Sequence, residues 1–210
     1  MKKLAIAGAS VALAAMPVMG VFATDITSIT DTLEITVEAT CTFNTADSSV
    51  ASNASYSATV ANGAVASFNS GANTHKFNVF CNDTDGWKVT AGSPNDLTPP
   101  AAHTTNLHKI TYQNSAIPAA GGGTKEGAWT ATVSGTGVTE GLSGLVTTGG
   151  VNYIKAATTG ETPVAGGGII ATNNASTDGS TFTVTYAAYV GTETAADTYT
   201  GTIGYTLAAL

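Results

Sequence analysis

The sequence predicts an all-β fold, an antiparallel sandwich held by one disulfide, and three observations carry that prediction. Apolar residues recur with a period of two in one stretch after another. Breaks rich in Gly, Pro, Asn and Ser separate those stretches, and segments of helical period are few. The two cysteines each fall on the apolar face of an alternating stretch.

The strongest alternation closes the chain. Phe182, Val184, Tyr186, Ala188 and Val190 alternate with Thr183, Thr185, Ala187 and Tyr189, and after a polar gap Tyr199, Ile203, Tyr205 and Leu207 keep the period. Two such stretches in succession read as a terminal β-hairpin with its aromatic and branched side chains on one face and its threonines on the other. A second apolar layer has to cover the first face, which makes the expected architecture a sandwich of immunoglobulin-like or jelly-roll type.

At the other end, Lys2 and Lys3 precede an apolar run from Leu4 to Met16, and the stretch closes on Val21-Phe22-Ala23, with small residues where a signal peptidase reads. Residues 1–23 are expected to be a secretory signal peptide and residues 24–210 a single β-sandwich domain. No later stretch approaches the ~20 apolar residues of a membrane span, so a secreted, extracellular or surface location without a transmembrane segment is expected. All seven basic residues are lysines, and without Lys2 and Lys3 five lysines face fourteen acids, a formal charge of −9. Such a surface repels nucleic acid and anionic membranes, and the guanidinium fork that recognises phosphate is absent from the composition.

Leu33, Ile35, Val37, Cys41 and Phe43 share one face of a long candidate strand, and in HKFNVFC the residues Phe77, Val79 and Cys81 share another. Both thiols then point into the same apolar layer, and in an exported chain they most simply pair as a Cys41–Cys81 disulfide rather than remaining two buried thiols. Closing a loop of about 40 residues stabilises a fold by about 4 kcal/mol on the chain-entropy account.

Further short strands are expected at Tyr56 to Val60, Trp87 to Ala91, Leu107 to Tyr112, Trp129 to Val133, Val151 to Ile154 and Gly168 to Thr172. Ser93-Pro94-Asn95-Asp96 and Thr98-Pro99-Pro100 break the chain, since proline removes a ladder donor and fixes its own φ. Residues 119–150, with Gly121 to Gly123 and six further glycines from Gly135 to Gly150, read as a region of long loops.

Catalytic constellations are missing. Gly141-Leu142-Ser143-Gly144-Leu145 lacks the final glycine of a nucleophile elbow. His103 and His108 have no companion ligands at metal-binding spacing and read as loop histidines. Asn82-Asp83-Thr84-Asp85-Gly86 resembles the opening of a calcium loop, but Pro94 stands where the closing carboxylate would be, so a tight turn before the Trp87 strand is favoured. No enzyme activity, cofactor or metal is expected. Trp87 and Trp129 each begin a candidate strand, where an indole could stack on a sugar ring. The core of a sandwich is the commoner place for Trp87, beside a cysteine strand, and for Trp129 both readings stay open.

A cysteine on the first strand, a second about forty residues on after an FNV-type strand, and the closing GTETAADTYTGTIGYTL together resemble the immunoglobulin-like pilin and spore coat protein U group of exported subunits. That resemblance implies self-assembly by strand addition. Gly86-Trp87-Lys88-Val89 and Tyr205-Thr206-Leu207 are similar to the paired Trp-x-Leu motifs of the WxL cell-wall-binding domain, with Val89 in leucine's place and Tyr205 in tryptophan's. The second resemblance implies contact with cell wall or another glycan. The expected function is a non-enzymatic structural or adhesive surface protein whose partners are other copies of itself or the wall. Its candidate contacts are Trp87, Trp129, Tyr205 and Leu207.

Overall fold

A computed structural model of the chain describes residues 34–43, 57–66, 73–99, 109–156 and 168–210. The chain divides into two compact units, Met1–Val37 and Glu38–Leu210. Of the first, residues 34–37 are described; they form no strand and are exposed. The second unit is an all-β sandwich, with no helix among the described residues.

Its strands are β1 (Cys41–Phe43), β2 (Thr74–Cys81), β3 (Trp87–Ala91), β4 (Ile110–Tyr112), β5 (Gly127–Gly135), β6 (Leu145–Thr148), β7 (Val151–Ile154), β8 (Gly168–Asn173), β9 (Thr177–Tyr189) and β10 (Tyr205–Ala209). One sheet has the order β1-β2-β9-β5-β7-β6, with β4 also on β5, and the other has the order β10-β3-β8. Every pairing is antiparallel except β4 with β5, which is parallel. β9 occupies one edge of β5, so β4 and β7 divide the other edge, at 127–129 and 132–133.

The period of two does what the residue types require. In β2 the side chains of His75, Phe77, Val79 and Cys81 are buried, and in β3 those of Trp87, Val89 and Ala91. Phe182 and Val184 of β9, Ala131 and Val133 of β5 and Ile170 and Ala171 of β8 join them in one core shared by both sheets. Covering each sheet's apolar face with the other is the step that an isolated sheet cannot make.

Cys41 and Cys81 stand opposite each other across the β1–β2 ladder and form the disulfide. Asn82 fastens the same end: its N–H donates to the Thr40 carbonyl at 3.1 Å, and its side-chain amide donates to the Glu38 carbonyl at 3.0 Å. The Asp83–Gly86 stretch is a tight turn, in which Asp83 Oδ1 accepts the Asp85 N–H at 2.9 Å and the Asp83 carbonyl accepts the Gly86 N–H at 3.2 Å.

Several expectations need correction. β9 and β10 are not partners in a terminal hairpin: β9 pairs with β2 and β5, whereas β10 crosses to the other sheet and pairs with β3. Alternation assigns faces, and two adjacent alternating stretches share a face without having to share a ladder. The long first strand reduces to Cys41–Phe43, since residues 34–40 have no ladder partner among the described residues. Residues 119–150 are not a region of loops alone; they contain β5, one of the longest strands, and β6, whose four residues end in the Gly149-Gly150 turn to β7. Ser57–Val60 forms no strand, Tyr56 lies outside the described residues, and the pairing nearby comes at Val65, bridged to Tyr189. The signal-peptide stretch, His103 and His108 also lie outside the described residues.

Candidate functional site at the C-terminal edge strand

Tyr205 and Leu207 lie on β10, and Trp87 lies on its neighbour β3, so the structure brings three of the four candidate contacts into one small sheet. The register sets Leu207 opposite Val89, Tyr205 opposite Ala91 and Ala209 opposite Trp87, which lays the two motif copies side by side and antiparallel. The Trp87 side chain nevertheless points into the core and is 0% exposed, while Tyr205 and Leu207 are half-buried. Trp129 sits in the larger sheet on β5 and is 6% exposed. Its indole N–H donates to the Asn95 carbonyl at 3.0 Å, and its ring meets that of Tyr112 edge-on with centroids 4.7 Å apart. Burial pushes the Tyr112 phenol well above its ordinary range, and its hydroxyl donates to the Ile154 carbonyl. Among the described residues, neither indole presents a ring face to solvent.

Beneath β10 is an aromatic cluster that joins the two sheets. The Tyr205 ring is 4.9 Å from that of Phe77, and its hydroxyl is 2.8 Å from the Tyr186 hydroxyl on β9. Phe77 stacks on Phe182 at 4.7 Å and on His75 at 4.1 Å, and Phe43 of β1 leans on it at 5.4 Å. His75, 6% exposed, has its imidazole held below the ordinary 6.5 by burial. Sequence reasoning passed over His75; the signal available was its place two residues before Phe77 on the same face.

The backbone of β10 explains why this strand is the candidate site. The Gly204 carbonyl accepts the Gly92 N–H at 2.9 Å and the Leu210 N–H donates to the Gly86 carbonyl at 3.1 Å. In an antiparallel ladder, alternate residues turn their N–H and C=O toward the same neighbour. Thr206 and Ala208 therefore face β3, and Leu207 and Ala209 turn their backbone groups to the outer edge. No described residue partners those outward groups of Leu207 and Ala209. β1 of the other sheet comes close to β10 without forming a ladder with it.

The opposite flank is closed. There the Gly144 N–H donates to the Ile169 carbonyl at 2.9 Å, the Thr172 N–H donates to the Gly137 carbonyl at 2.9 Å, and Ser143 Oγ accepts the Ile169 N–H at 3.0 Å. Gly144 and Gly168 approach so closely that a Cβ on either would strike the backbone of the other. The described residues thus make a sandwich stitched along one flank and lined by an edge strand on the other.

A concave feature lies at the disulfide end. Thr40, Thr42, Ser176, Thr177 and Asn82 surround the half-buried Phe80 in an open cleft of about 650 Å³. No group of three metal-ligating side chains occurs among the described residues, and no helix there is long and apolar enough to cross a membrane.

Fold and edge define the class: a disulfide-linked, all-β sandwich with an edge strand at its C-terminus. Comparison with protein-family models, with curated proteins and with solved structures finds no match.

Proposed function

We propose that the chain is a non-enzymatic, exported surface subunit, structural or adhesive, that joins other copies of itself by strand addition at the outer edge of β10. The observation that carries the reading is the row of backbone groups at Leu207 and Ala209, which lies on the rim of the shared core and has no described partner. An incoming strand would satisfy those groups and extend the smaller sheet. The occupant is the alternating segment ahead of β1 in a second copy. Ile35 and Val37 in it are 75% and 76% exposed and alternate with Glu34, Thr36 and Glu38, so one face is apolar and the other acidic. The Lys2-Lys3 and Leu4 to Met16 pattern, the disulfide and the likeness to pilin and spore coat protein U subunits favour export.

The experiment adds a synthetic peptide of residues 24–38 to the full chain and to a chain lacking residues 205–210, with assembly followed by sedimentation velocity. Strand addition at β10 requires that the peptide lower the assembly of the full chain and bind poorly to the shortened one. A full chain that stays monomeric at high concentration and ignores the peptide refutes the reading.

A second reading, a glycan- or wall-binding module of the WxL kind, is favoured by the hydroxyl-lined cleft around Phe80. Uncharged hydroxyl and amide groups beside an aromatic ring suit a neutral sugar. Co-sedimentation with isolated walls, lost in Phe80→Ala, is its test.

A further inference from the structure

We propose that Asn62, in the chain's one Asn-Gly pair, is a site of spontaneous deamidation held in check by the folded loop after β9, and that its conversion to a carboxylate loosens that loop. Segment 63–66 runs antiparallel to the end of β9. The Ala66 N–H donates to the Ala188 carbonyl at 2.8 Å, the Val190 N–H to the Ala64 carbonyl at 3.0 Å, and the Gly63 N–H to the Val190 carbonyl at 2.8 Å. Asn62 carries the attachment past the end of the strand with its side chain: its amide Nδ2 donates to the Thr192 carbonyl at 3.2 Å and to the Thr194 carbonyl at 3.0 Å. One carboxamide thus holds two carbonyls of the loop.

The chemistry needs only water. The backbone nitrogen of Gly63 attacks Cγ of Asn62; the N–Cγ bond forms, the Cγ–Nδ2 bond breaks, and Nδ2 leaves as ammonia with the proton that the Gly63 nitrogen gives up. Water then opens the succinimide at either carbonyl, leaving aspartate or isoaspartate at position 62. No oxidant or reductant takes part. Glycine is the successor that hinders this attack least, and Gly63 is also required by the turn, where its φ is 78°.

In the folded protein both reacting groups are engaged, the Gly63 nitrogen with Val190 and Nδ2 with the loop. Reaction therefore proceeds through the fraction of molecules in which this turn has opened. Once it has occurred the loop cannot close as before. A side-chain amide offers two donors, whereas an ionised carboxylate offers none and only accepts. At position 62 it would face two carbonyl oxygens in place of two hydrogen bonds. A transient opening thereby leaves the loop lastingly looser, still held by the Thr192 and Glu193 N–H bonds to the Thr124 and Lys125 carbonyls.

The test follows amide-to-acid conversion at Asn62 by peptide mass spectrometry in mildly alkaline buffer, in the full-length protein and in a synthetic peptide of residues 57–68. Conversion in the protein should be slower by about tenfold or more, since only the opened fraction reacts. The Asn62→Asp chain should show faster hydrogen exchange at Thr192, Glu193 and Thr194, with β2 and β5 unchanged. Equal conversion in protein and peptide overturns the proposal, and so does an Asn62→Asp chain whose loop exchanges as the parent does. Should that variant not fold, the rate comparison, made on the unaltered chain, decides alone.

Discussion

The ring of Tyr205 on the edge strand of one sheet lies 4.9 Å from the ring of Phe77 on the second strand of the other, and this contact ties β10 to the larger sheet. Phe77 also touches Phe43, His75 and Phe182, so it transmits the position of β10 to three further strand positions. Phe77→Ala should cost about 4 kcal/mol, and Tyr205→Ala, at a half-buried site, about 2 kcal/mol. A double-mutant cycle in urea should return a coupling of about 1 kcal/mol. Strict additivity would mean that the two rings do not hold the sheets together.

Reduction of Cys41–Cys81 should destabilise the fold by about 2–4 kcal/mol. β1 has three ladder pairs, so the amides of Thr42 and Phe43 should lose protection before those of β2. Urea melts with and without a thiol reductant, together with hydrogen exchange, check both parts. An unchanged midpoint would remove the disulfide from the energetics of the sandwich.

His75 predicts an acid-side loss of stability. Burial holds its folded value below 6.5, so the unfolded chain takes up a proton that the folded protein resists. The stabilisation is fully present above 6.5 and is lost as pH falls through the lowered folded value. Melting temperatures should drop as the pH falls below 6.5, and His75→Phe should flatten that part of the profile. A variant that shows the parent's full drop would assign it to other groups.

Gly144→Ala should open the closed flank. Its Cβ would collide with the backbone of Gly168, which no rotamer change relieves, and the cost should be about 2–3 kcal/mol. Gly141→Ala is the control for glycine loss in the same loop, since nothing lies within 4 Å of a Cβ there; its φ of 88° makes some strain of its own. Equal destabilisation of the two variants would show that the Gly144–Gly168 approach contributes nothing.

The sequence alone was enough for the all-β class, the disulfide pair and the bounds of β3 and β7, because those features are written locally. Side-chain alternation assigns two faces to a strand wherever it occurs, proline and glycine mark its ends, and cysteines on apolar faces meet in the core. Local pattern also placed Trp87 in the interior. Tertiary structure decided which strands pair. Thr181 to Leu207 reads as one hairpin, yet β10 leaves β9 and joins β3, because backbone ladders are chemically alike and the choice of neighbour rests on packing between the sheets, where Tyr205 meets Phe77. Ile35 and Val37 alternate as well as any strand residues and stay exposed, since alternation without a ladder partner is not enough to make a strand. Among the glycines of residues 119–150 the pattern was too weak to reveal β6, and only its ladder with β7 defines it. The edge at Leu207 and Ala209 was illegible for the same reason: a backbone group is open or closed according to what packs beside it, and that depends on residues far away in the chain.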